Sequence, residues 1–163
     1  MQHLLFAFVL TAVFAALGTS AYARPNVQLH LTGAIVGHDA NGKETIQPIS
    51  GDTELKTGEV VRYDVVATNA GTDPAIKLTP VDKIPAGTQY EAGTAASSPA
   101  LTIEFSIDGG KTFAKVPMIS IKTPKGVVEK KADPATYTAI RWITQKPLAP
   151  KASVTYSYEV RVK

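Results

Sequence analysis

A chain of 163 residues with no cysteine cannot rely on disulfides, thiolate-ligated zinc, a thiol nucleophile or the lipid anchor of a lipoprotein. Its 17 Lys and Arg against 14 Asp and Glu leave a net charge of +3. The basic residues are spread along the sequence, with only Lys130 and Lys131 adjacent, which argues against a nucleic-acid stripe.

The first element is not part of a fold. Residues 1–23 hold an uncharged apolar run from Leu4 to Leu17, then Ala21-Tyr22-Ala23, an A-x-A cleavage pattern. The run is shorter than the roughly 20 residues that span a bilayer. It therefore reads as a secretory signal peptide, and residues 24–163 as a single exported domain. The expected destination is the periplasm, the cell surface or the extracellular space, with membrane contact only through the signal peptide before cleavage.

From Val27 onward the hydrophobic period is two. "VQLHL" sets Val27, Leu29 and Leu31 against Gln28 and His30, and "EVVRYDVVATN" aligns Val61, Tyr63, Val65 and Ala67. "LTIEFSI" alternates Leu101, Ile103, Phe105 and Ile107 with polar residues. "KVPMISIKTPKGVVEKKADPAT" reads as two strands and a loop. "TAIRWIT" points Ile140 and Trp142 inward, and "SVTYSYEVRV" does the same for Val154, Tyr156, Tyr158, Val160 and Val162. Such alternation belongs to antiparallel strands with one buried face. Gly- and Pro-rich turns separate the runs, and no helical period appears after residue 23. The fold class is all-β: an Ig-like antiparallel β-sandwich of about seven to nine strands, with Tyr63, Phe105, Trp142, Tyr156 and Tyr158 as core aromatics.

The most motif-like run is "SIDGGKTF", Ser106 to Phe113, which resembles the Asp-box hairpin of sialidase-type propellers. A propeller repeats that box across blades, and one copy makes a turn, not a catalytic site. Asp108-Gly109 signals a two-residue hairpin, with Gly109 and Gly110 free to take positive φ and Phe113 beginning the returning strand.

The stretch "GEVVRYDVVATNAGTDPAIKLTPVDKIPAGTQY" carries Gly58, Tyr63, Asn69, Gly71, Asp82, Pro85, Gly87 and Tyr90 in the order and spacing of a known pattern. It resembles the bacterial "conserved repeat" family, domain of unknown function eleven. The end of the chain, "IRWITQKPLAPKASVTYSYEVRV", is similar to that family's last two strands, although Pro150-Lys151 stands where Pro-Gly is usual. The resemblance implies an Ig-like sandwich of bacterial surface or exported proteins and no catalytic activity. Its matching residues are turn formers and core positions. Asn69 and Gly71 are read as a turn in which Gly71 supplies a positive φ, and Asp82 as the acceptor for backbone donors of the "KIPAG" turn.

His30 and His38 are the only histidines after residue 23, and no H-E-x-x-H, G-x-S-x-G or S-x-x-K occurs. No enzyme, cofactor or metal site is expected. The preferred function is a non-enzymatic structural or interaction protein that acts through protein–protein contacts, including self-assembly by strand pairing, in which the first strand, "NVQLHLTGAIV", is donated to a neighbour to give a fibre. The alternative is a glycan or small-ligand module using end loops of the sandwich.

Overall fold

The computed structural model describes residues 24–99 and 101–163, so the expected signal segment lies outside the described residues. The strands are β1 (Val27–His38), β2 (Glu44–Pro48), β3 (Val60–Asn69), β4 (Val81–Lys83), β5 (Thr88–Tyr90), β6 (Ala96–Ser98), β7 (Thr102–Ser106), β8 (Met118–Thr123), β9 (Gly126–Lys131), β10 (Ala139–Ile143) and β11 (Ser153–Val162). Among the described residues one 3-10 turn, at Pro134–Thr136, interrupts them, its Pro134 carbonyl accepting from Tyr137 N. Every strand pairing is antiparallel.

Two sheets pack face to face. The larger runs β2-β1-β3-β11-β5, with β6 also on β11, and the smaller runs β4-β10-β7. These sheets hold nine strands among the described residues, the upper end of the expected range. The remaining two, β8 and β9, form a hairpin outside both sheets.

The alternation in β3 and β11 explains the core. Val61, Val65 and Ala67 on β3 and Val154, Tyr156, Tyr158 and Val160 on β11 point inward, where Ile140 and Trp142 of β10 meet them. Trp142 packs on Tyr156 at 5.2 Å between ring centroids and on Tyr158 at 6.0 Å, and its Nε1 donates to the Ala96 carbonyl at 3.1 Å. Tilted aromatic pairs of this kind add to the area they bury. Tyr63 and Phe105 sit at the core margin, half-buried. Tyr63 lies 5.5 Å from Tyr158, and Phe105 joins Tyr90 and Tyr137 in a second aromatic cluster.

Two expectations about β1 and the tail of β7 are corrected. Leu29 and Leu31 stay 57% and 53% exposed, because the small sheet ends at the three-residue β4 and does not roof β1. Ser106, on the expected wet side, is buried, because its hydroxyl is enclosed by the loop that follows.

On the outer face, Arg62 of β3 bridges three strands. Its guanidinium donates to both Glu44 oxygens at 2.9 Å and to Glu159 Oε1 from Nε at 2.9 Å. The fork fits a carboxylate and ties β2 and β11 to the strands between and beside them.

Candidate functional site

The turn residues singled out by the sequence have distinct jobs. Asn69, last residue of β3, is completely buried. Its Oδ1 accepts from Gly71 N at 3.1 Å and Asn26 N at 3.3 Å, while Nδ2 donates to the carbonyls of Asp73 at 2.7 Å and Leu148 at 3.0 Å. One amide thus closes its own loop, pins the entry to β1 and holds the loop before β11. Gly71 is not in the left-handed region, contrary to the expected positive φ. What requires glycine is contact: a Cβ there would overlap the Arg24 carbonyl oxygen and lie 2.6 Å from Asn26 N.

Asp82 does not serve the "KIPAG" backbone. Its Oδ2 accepts from the Tyr158 hydroxyl at 3.0 Å, linking the small sheet to the large one. Burial, together with the nearby Asp82 charge, pushes the Tyr158 phenol well above the usual tyrosine range and Tyr63 upward in the same direction. The turn itself forms as its residues suggest, with Pro85 accepting from Thr88 N at 3.2 Å and Gly87 at φ 81.

The Asp-box loop is wider than a two-residue hairpin. Phe105 and Ala114 close it as an isolated bridge, so Phe113 does not begin a regular strand. Gly109 and Gly110 do take positive φ, 78 and 90. Asp108 accepts from Ser106 Oγ and Thr112 Oγ1 at 2.6 Å each and from the amides of Lys111 and Thr112 at 3.0 and 2.9 Å. Hydrogen bonds from Ser106 first, then Thr112, hold its carboxyl well below the usual carboxylate range. All its partners belong to the loop, and Arg141 covers Phe113 with its guanidinium 4.4 Å from the ring. This is a folded turn with its acceptors already used.

A carboxyl pKa depressed in the fold stabilises above the unfolded value and loses that contribution as pH falls through the folded one. Asp108→Asn is therefore expected to lower the melting temperature near neutral pH. The difference from wild type should shrink once pH drops below about 4. Thermal melts across that range check it.

The feature with binding geometry is one the motifs did not mark. β2 pairs with β1 only from Ala34 to His38, while β3 pairs along β1 from Val27 to Val36. The outer edge of Val27–Thr32 has no strand partner among the described residues. Below it, Leu29, Leu31 and Val65 of the large sheet face Val81, Asp82 and Trp142 of the small one and the adjoining Pro80 across a mostly apolar crevice of about 130 Å³. Val81, on the unpaired side of the small sheet, is 52% exposed. Exposed edges are usually blunted by Lys, Pro or inward charge. Val27–Thr32 has none of these, and this lack of charge was the available sequence signal.

A larger cavity of about 580 Å³ lies by the loop before β11, lined by Pro99, Leu101, Thr144, Lys146, Pro147 and Val154 among others. No aromatic side chain lines it, and Trp142, Tyr156 and Tyr158 are interior. Among the described residues, no group of three or more His, Asp or Glu gathers where it could hold a metal ion. His30 and His38 are both exposed, on separate stretches of β1. Compared with known proteins, the chain matches no family model, no curated protein and no solved structure at a significant level.

Proposed function

We propose that this chain is an exported, non-enzymatic bacterial interaction protein that self-associates by pairing the open edge of β1 with β1 of a second copy. The observation that carries the reading is the unpaired Val27–Thr32 edge above an apolar crevice. An added strand satisfies the edge amides and carbonyls while its alternate side chains enter the crevice, which is the chemistry of β-augmentation. A two-fold axis at His30 sets Gln28 against Thr32, Leu29 against Leu31 and the two His30 side chains against each other, with no Asp, Glu, Lys or Arg in the paired stretch. β1 itself is paired with β3 over ten residues, so association adds to its edge and does not require donation of the strand. The likeness of Gly58–Tyr90 to the conserved-repeat family, and the A-x-A pattern at Ala21–Ala23, support the exported, non-catalytic part of the reading.

The glycan or small-ligand alternative draws on the 580 Å³ cavity. It has weaker support, because no aromatic among the described residues is exposed to stack on a sugar.

Sedimentation velocity over a concentration series tests self-pairing. Wild type is expected to shift from monomer to dimer. The double substitution Leu29→Lys with Leu31→Lys should remain monomeric, because lysine on an edge opposes pairing. Both leucines are exposed, so the melting temperature should stay close to wild type. A wild-type chain that stays monomeric at every concentration contradicts the reading.

A further inference from the structure

The hairpin of β8 and β9 stands apart from the sandwich, and every residue in both strands is exposed. It is pinned only at its base, where Pro117 and Ala132 are buried and Ala132 N donates to the Pro117 carbonyl at 2.9 Å. Six-residue strands at about 3.3 Å per residue carry the tip about 20 Å from that base. The tip is a tight turn in which Thr123 Oγ1 donates to the Gly126 carbonyl at 2.8 Å and Gly126 takes φ 126.

Its surface is both apolar and basic. Ile121 pairs directly with Val128 on one face, while Lys122 pairs with Val127 on the other. Val127 is 65% exposed and Val128 53%. Residues 115–131 carry Lys115, Lys122, Lys125, Lys130 and Lys131 against Glu129 alone. That is +4 in a chain whose total is +3, so everything else is net −1. Five of the 17 basic residues thus lie within residues 115–131, a concentration that corrects the even spread expected from the sequence, and the hairpin carries them on one projection.

An isolated two-stranded ribbon is marginal in water, and one with apolar side chains on both faces is more so. We infer that the hairpin docks on an anionic lipid surface, with Ile121, Val127 and Val128 entering the headgroup boundary and the lysines meeting the phosphates. A groove on a protein covers one face of a ribbon, whereas a bilayer surrounds a tip on both. Lysine side chains suit this arrangement, since their stems lie along apolar surface while the ammonium reaches the polar layer. Nucleic acid fits less well, because residues 115–131 contain no aromatic to stack on bases and no arginine to grip phosphates in a fork. The inference departs from the expectation that membrane contact ends with the signal peptide. It is independent of the β1 edge.

The test is co-sedimentation of the protein as recovered after export, its N-terminus read by mass, with phosphatidylcholine vesicles with and without phosphatidylglycerol. Wild type is expected to bind the anionic vesicles selectively and to weaken as salt rises. Replacing Lys122, Lys125 and Lys130 together by glutamine should weaken binding about a hundredfold, at about fivefold per lysine near the surface. Ile121→Thr with Val127→Thr keeps β-branched side chains and should weaken binding about tenfold through lost apolar burial. Unchanged melting temperatures show that both variants remain folded. Equal binding to neutral and anionic vesicles, or hairpin variants that bind as wild type does, would overturn the inference. So would duplex DNA held as tightly as the vesicles, which would make the hairpin a general polyanion site.

Discussion

Asn69→Ala is expected to destabilise the protein by about 3–5 kcal/mol, more than an ordinary surface turn substitution could. The amide is fully buried and serves four backbone groups from three segments: Asn26, the 71–73 loop and Leu148. Deleting it leaves the Asp73 carbonyl without its donor and two amides without their acceptor, while the Leu148 carbonyl keeps the Ala75 amide. A buried group left unpaired costs about 1–3 kcal/mol, and partial re-pairing within the loop keeps the total below the sum. Asn69→Asp is the informative companion. It restores the acceptor but removes the donor and buries a charge, so it should be no better than alanine. Denaturant unfolding of the three proteins gives the ordering, and an alanine variant within about 0.5 kcal/mol of wild type would remove the amide from its central position.

Gly71→Ala follows from the same corner by a different cause. The added methyl would meet backbone, the Arg24 carbonyl and the Asn26 amide, and not the yielding end of a side chain. Overpacking of this kind costs about 2–3 kcal/mol. For a chain of this size the expected fall in melting temperature is on the order of 10 °C. Because Arg24–Asn26 leads directly into Val27, displacement of that segment should also loosen the start of the open edge and weaken self-association. A variant that melts with wild type would show that the Arg24–Asn26 segment gives way at no cost.

The division between what could and could not be read from sequence follows the range of each interaction. Period-two alternation located β3, β10 and β11 and the inward face of Trp142, Tyr156 and Tyr158, because a strand's two faces are set by neighbours in the chain. The Asp108 loop was recognisable as a turn for the same reason, although its width depended on the distant bridge of Phe105 to Ala114. Leu29 and Leu31 share the pattern of a buried row, yet are open because a different strand, β4, is short. Asp82 was assigned to its own turn, whereas its partner is Tyr158, 76 residues away. Gly71 looked like a matter of backbone conformation and proved to be one of close approach by a distant segment. The five lysines of residues 115–131 are close in sequence, and what the sequence did not show is that β8 and β9 pair with each other outside both sheets and carry those lysines clear of the sandwich.

The open edge of β1 is tested most directly by amide hydrogen exchange as a function of protein concentration, read residue by residue. Between Val27 and Thr32, the amides that do not donate to β3 face outward and should exchange quickly in dilute solution. Edge pairing predicts that their protection rises with concentration, in step with dimer formation, while amides of β2 and β4 keep their dilute-solution rates. Protection of the outward Val27–Thr32 amides that does not change as dimer forms would contradict pairing through this edge.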